Sequence, residues 1–185
     1  QTNLNNRSIY WPRGKVLGGS SAINAMVYVR GHPRDFAEWE NVAPGWGWDD
    51  VEPMFRRMEN WQGAPDQKRG RSGPLGVTDV TSMVHPLSRA YLEAAEQAGI
   101  ATNPDYNSGN MDGAALFQIT TKNGLRASAA QAYLKPAAKR PNLKIVARAH
   151  VTRVLLDGRI ATGIEYLLDG RRMTATASRE VILCG

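Results

Sequence analysis

"WPRGKVLGGSSAINAMVYVRG", Trp11 to Gly31, sets two adjacent glycines and two serines ahead of a run of small and apolar residues, then ends the run on Arg30 and Gly31. From Gly18, "GGSSAINAMVYV" suits a helix whose first turn carries Ser20 and Ser21, residue types that satisfy orphan backbone N–H groups. A helix start opened by glycines leaves its N–H groups open to close approach and makes a ready anion site. On local chemistry the stretch is either a seat for the pyrophosphate or ring edge of a nucleotide, with hydroxyl donors from both serines, or an ordinary linker.

The chain around it has 185 residues, 42% hydrophobic and 22% charged, within globular usage and large enough for one sizeable core or parts of two. No apolar run approaches the roughly 18 residues that a membrane span needs, and the N-terminal residues lack a signal-peptide layout. The single cysteine, Cys184, excludes an internal disulfide framework and a cysteine-based metal site. The expected setting is cytoplasmic, with peripheral membrane association left open. A net charge of +6 comes from 17 Arg and 6 Lys against 17 acids. These charges are dispersed and not interleaved with aromatics, a poor match to a nucleic-acid surface and an equal match to handling cofactor phosphates.

Along the chain, "HPRDFAEWENV" predicts a short amphipathic helix, with Pro33 at its start and Phe36, Trp39 and Glu40 at helical spacing. "GWGWDDVEPMFRRMEN" predicts a second, with Asp49 or Asp50 as N-cap, Pro53 in the first turn, and Val51, Met54, Phe55 and Met58 on one face. Residues 62–74, rich in Gly, Pro and charge, read as a mobile loop, a candidate hinge or lid. "PLGVTDV" reads as a strand. "HPLSRAYLEAAEQAGI" reads as a helix with Leu87, Tyr91, Ala94 and Ala98 in one stripe and a stop at Gly99. "AALFQITTKNG" is a strand ending in Asn-Gly, and "SAAQAYLKPAAKRPN" a helix broken at Pro136. The last third holds four or five β-type runs with Asp-Gly turns at 157–158 and 169–170. Helices first and strands last, without regular βαβ alternation, predict an α+β (mixed α/β) fold.

Taken whole, "RSIYWPRGKVLGGSSAINAMVYVRG" resembles the first signature of the glucose-methanol-choline (GMC) oxidoreductases, FAD-dependent alcohol oxidases and dehydrogenases. "GWGWDDVEPMFRRMEN", "SGPLGV", "NGLRASAAQAYLKPA", "RPNLKIVARAHVTRVLLDG" and "REVILCG" resemble further blocks of that family in its order, and the style of "NAMVYVRGHPRDFAEW" is similar to bacterial choline-dehydrogenase-like members. The resemblance implies part of an FAD-binding domain in residues 1–45 and 141–185, and part of a substrate-binding domain in 46–140. It implies hydride transfer from an alcohol to FAD, with electrons passing to oxygen or a respiratory carrier.

Carried over position by position, the resemblance makes Gly18, Gly19, Ser20, Asn24, Ala25 and Val27 flavin contacts, with Asn24 as the polar anchor. The backbone of Val151 would meet the adenine side. Cys184 and Gly185 would begin the family's second signature, Cys184 as a small buried residue. Arg13 and Lys15 either face phosphates or sit in a solvated loop. Ile23 stands where some members attach FAD through a histidine, which implies non-covalent FAD. No Gly-x-Gly-x-x-Gly turn occurs, and His32, His85 and His150 match no catalytic position, so the expectation is no catalytic residue, no metal ligand, and an interior portion of a longer chain, inactive and poor in FAD by itself. The alternative is a non-enzymatic binding module that uses the basic surface.

Overall fold

Two histidines start the two most sharply defined helices. In α1, Pro33–Glu40, His32 Nδ1 accepts from the Arg34 amide at 3.0 Å while Asp35 Oδ2 accepts from the His32 amide at 2.9 Å, a reciprocal cap with proline in the first turn. His85 caps α3, Pro86–Gln97, on one side only, its Nδ1 accepting from the Leu87 amide at 3.2 Å. Helix α2, Trp48–Met58, is capped by Gly47; Asp49 and Asp50 lie in its first turn, where a carboxylate complements the helix dipole, instead of capping it. Trp48 is drawn into the helix by packing on Phe36 of α1, 5.6 Å between ring centroids. Pro53 therefore lies beyond the first turn, inside the helix.

The computed structural model describes residues 1–184. It divides into two compact units, Gln1–Pro136 and the remainder from Ala137. The first carries α1, α2 and α3, a parallel pair β1 (Glu59–Trp61) and β2 (Leu75–Val77), and an antiparallel hairpin β3 (Thr121–Lys122) and β4 (Leu125–Arg126) turned by Asn123 and Gly124, both at positive φ. A π-type turn, Ala130–Leu134, follows and runs into Lys135–Ala137, near the expected break. The second unit is a meander, β5 (His150–Asp157), β6 (Ile160–Leu168) and β7 (Arg171–Thr176). Mixed helix and strand content, helices first, is the expected class.

Further expectations are corrected. The segment from Gly18 is no helix: only Gly19–Ala22 forms a 3₁₀ turn, and Met26, at φ 64, has left-handed backbone. Residues 62–74 are the tethered connection between two parallel strands. The Trp61 and Gly73 amides donate to the Gly70 and Glu59 carbonyls, and a Cβ at Gly70 would lie 1.7 Å from the Arg56 carbonyl oxygen. Their glycines serve close packing. Helix α3 buries its Ser88, Leu92 and Ala95 side in part, leaving Leu87, Tyr91 and Ala94 exposed, so the packed face is one position round from the expected stripe. The last third forms three strands. "LKIVA" and "VILC" have no partner strand among the described residues, and an unpaired run is not a strand. Cys184 is exposed rather than buried, and Gly185 lies outside the described residues.

The second Asp-Gly turn has both residues at positive φ, the type I′ requirement. At the first, pairing of Asp157 with Ile160 makes Gly158 and Arg159 the two loop residues, with positive φ at Gly158 alone, so the turn lies one residue later than expected.

The centre of the first unit is polar. Beside Tyr28, Trp61 and Val77 lie Arg30, Glu59, Arg69, Asn107 and Gln118, all buried. Glu59 Oε1 accepts from Arg30 Nη2, from Arg69 Nε at 2.9 Å and from the Gly70 amide at 2.7 Å. Arg69 also reaches Asp105 at 2.7 Å and stacks over Trp61. Two guanidinium charges are thus balanced by two carboxylates. Gly31, whose Cβ would lie 2.7 Å from the Phe36 ring, lets the chain leave this cluster. In the second unit the Thr152 hydroxyl, with Arg172 and Arg153, holds the Glu165 carboxyl below its usual range.

Two stability measurements follow. Replacing Glu59 with Leu leaves Arg30 only the Glu52 carboxylate, at 3.9 Å, and Arg69 only that of Asp105, and should cost about 3–5 kcal/mol in denaturant unfolding. Tyr28 Oη has no hydrogen-bond partner among the described residues, and burial, reinforced by the Glu59 charge, pushes its pKa up to about 12. Between the usual tyrosine value near 10 and that value only the unfolded state ionises. Stability is therefore lost with rising pH across this window, at about 1.4 kcal/mol per unit. Tyr28→Phe should be near neutral at pH 7 and should flatten that decline.

Candidate functional site

Residues 10–30 form a loop and a strand-like arm anchored on segment 118–129. In the arm the Tyr28 amide donates to the Gln118 carbonyl at 2.8 Å, Val27 bridges Ile119, and the Thr120 amide donates to the Met26 carbonyl at 2.7 Å. The loop ahead of it is tied by its own hydroxyls. The Gly14 amide donates to Ser20 Oγ at 3.3 Å, Ser21 Oγ donates to the Gly18 carbonyl, and the Ala129 amide donates to Ser21 Oγ at 2.9 Å. The hydroxyl of Ser21 is thereby used internally as donor and acceptor. Only Ser20 keeps its O–H without a partner in this set.

The glycines divide by role. Gly14 sits under the turn, where a Cβ would come 2.1 Å from the Gly19 carbonyl oxygen. Gly18, at φ 94, starts the turn and faces Ala130. Gly19, at φ 54, faces open space. Beside the turn lies a cavity of about 320 Å³ lined by Tyr10, Trp11, Pro12, Ser20, Ile23 and Asn24. Aromatic and aliphatic walls with two polar groups match the lining of an organic-ligand pocket.

Asn24 is exposed, not the buried amide of an apolar helix. Its Oδ1 accepts from the Met26 amide at 3.1 Å and from Arg126 Nη1 at 2.8 Å. Nothing local in the sequence marks Arg126, which stands half-buried two residues after the Asn-Gly turn that returns the chain to the loop. Gly18, Gly19, Ser20, Asn24, Ala25 and Val27 thus occur on one continuous segment, with Ser20 and Asn24 on the cavity and Ala25 and Val27 exposed beside it. Val151 belongs to the second unit, on the edge strand β5 opposite Tyr166 and next to a register shift. Arg13 and Lys15 are exposed. Among the described residues no helix could cross a membrane, and no group of three acidic, His or Cys side chains is placed to hold a metal.

The whole chain, residues 1–185, matches the family described as GMC oxidoreductase, and the chain belongs to that family. It is 50% identical over 184 residues to an oxygen-dependent choline dehydrogenase of Rhizobium johnstonii, covering 99% of this chain and 33% of the relative. Among solved structures, pyridoxine 4-oxidase from Mesorbium loti superposes with a TM-score of 0.87 at 34% identity, covering 95% of this chain and 35% of that one. An FAD-dependent oxidoreductase from Chaetomium thermophilum gives 0.86 at 28% identity, covering 96% and 33%. The chain spans about a third of the length of the relatives it matches.

Gly14 and Gly19 make different predictions. Gly19→Ala has room and should cost only the left-handed penalty of about 1–2 kcal/mol. Gly14→Ala must move backbone, so thermal melting should rank it clearly below Gly19→Ala despite its ordinary φ.

Proposed function

We propose that this chain is the flavin-lining and substrate-side portion of an FAD-dependent GMC oxidoreductase that oxidises a small alcohol, choline being the first to try. The observation that carries the reading is a glycine-opened turn beside a cavity with aromatic and aliphatic walls and two polar groups, within a chain that matches the family from end to end. The residues fit the group. Gly19 leaves its side of the turn open, Tyr10, Trp11 and Ile23 offer flat or apolar surface, and Ser20 and Asn24 offer polar contacts.

In this reading Gly18, Gly19, Ser20, Asn24, Ala25 and Val27 contact the flavin, and the Val151 backbone contacts its adenine side. FAD, when bound, supplies the hydride acceptor, and electrons leave to oxygen or a respiratory carrier. Residues 1–45 and 141–185 serve the flavin domain and 46–140 the substrate domain. Ile23 has no nucleophilic nitrogen, so FAD is held without a covalent bond at that position. No histidine is given the base role, since His32 and His85 spend Nδ1 on helix caps and His150 begins a strand. A cytoplasmic setting accompanies the reading, in keeping with a single thiol.

The test uses the gene product that contains this sequence, purified with its flavin. Choline or another small alcohol added without oxygen should bleach the flavin absorbance, and acid precipitation should leave FAD in the supernatant. A colourless product that binds nucleic acid would overturn the reading in favour of a basic binding module. Flavin that pellets with the denatured protein would overturn the non-covalent assignment.

A further inference from the structure

The two ends of the Asn24 amide are chemically different, and its neighbours decide how it lies. Both groups on its oxygen are obligate donors, the Met26 amide at 3.1 Å and Arg126 Nη1 at 2.8 Å, so oxygen must face them and the NH₂ must face away. The same Nη1 donates to the Asn24 carbonyl at 2.7 Å and to the Ser21 carbonyl at 3.3 Å. One cationic nitrogen, 102 residues further along the chain, thus gathers three acceptors of the loop. Asn24 Nδ2 has no partner among the described residues, and Asn24 lines the cavity with Tyr10, Trp11, Ser20 and Ile23.

We infer that Arg126 is a positioning residue that locks the Asn24 amide with Nδ2 offered to the cavity, so the ligand bound there presents a hydrogen-bond acceptor to it. The inference rests on the flavin reading above. A flavin ring edge carries carbonyl oxygens and unprotonated ring nitrogens, which meet that requirement. Without Arg126 only the Met26 amide holds that oxygen, and an Asn24 amide that turned would set its oxygen against those acceptors. Because one nitrogen makes all three contacts, an ammonium, with three donors on one atom, can take its place.

The experiment is a double-mutant cycle on the flavin-loaded gene product, read as the FAD dissociation constant and the flavin absorbance spectrum. Asn24→Ala and Arg126→Met should each weaken FAD about tenfold, the scale of one lost hydrogen bond of this kind. The double variant should be no weaker than the worse single variant, because Arg126 acts through Asn24. Arg126→Lys should restore binding to within about twofold of wild type and return the spectrum. Two outcomes overturn the inference while leaving the flavin reading in place: Arg126→Met binds FAD normally while Asn24→Ala does not, or the two losses multiply to about a hundredfold. If neither single variant alters binding or spectrum, the flavin reading of this loop fails and the inference with it. Should Arg126→Met not fold, Arg126→Leu, which likewise carries no donor, replaces it in the cycle with the same readings.

Discussion

Glu59 is fully buried and yet takes hydrogen bonds from Arg30, from two nitrogens of Arg69 and from the Gly70 amide. Removing a carboxylate from water costs several kcal/mol, and the cost is tolerable only when opposite charge and donors surround it. The partners come from distant stretches, Arg30 29 residues before it and Arg69 10 after, and Arg69 adds Asp105 a further 36 on. Because each group is costly if left alone, the cluster fixes which segments meet. Its net contribution to stability is a separate matter, since paired buried ions often do no more than break even.

From that cluster the geometry of the loop follows stepwise. Arg30 is held by Asn107, whose side chain also reaches the Tyr28 carbonyl and Gln118. Gln118 begins the segment on which Tyr28, Val27 and Met26 are paired. The same segment continues through Thr121 and Lys122, turns at Asn123-Gly124, and brings Arg126 back against Asn24. Both sides of the loop therefore hang from one stretch of chain. Glu59 is thus joined to the cavity wall by hydrogen bonds and backbone pairing, without direct contact.

Local signals were legible in the sequence wherever one residue type had one job. Histidine-proline at two helix starts, Asn-Gly at the β3–β4 hairpin and Asp-Gly at the second meander turn all act where the sequence places them. Residues 62–74 misled because glycine and arginine mark mobile loops only while they face solvent. Here Gly70 and Gly73 admit neighbouring backbone, and Arg69 is buried on Glu59 and Trp61. Contacts to residues 29 and 36 positions away leave no trace in a local window. The family blocks located the candidate site. Arg126 was invisible because its work lies entirely in the tertiary contact with Ser21 and Asn24.

The failure of the expected helix after Gly18 has a physical cause that bears on the cavity. Residues 27–30 alternate with period two, but with inverted polarity: Tyr28 and Arg30 are buried at 8% and 2% exposure, while Val27 and Val29 stand outward at 39% and 47%. The buried cluster wants the charge of Arg30, so the aliphatic side chains take the other face. An apolar run that suits a helix is instead a strand-like arm turning its valines out. Ile23, also exposed, lines the cavity with Tyr10 and Trp11, and Val27 and Val29 follow it along the chain as the outward face of the arm. One constraint, the need to neutralise a buried guanidinium, therefore orients both the interior of the unit and the outward valines of the arm that follows the candidate loop.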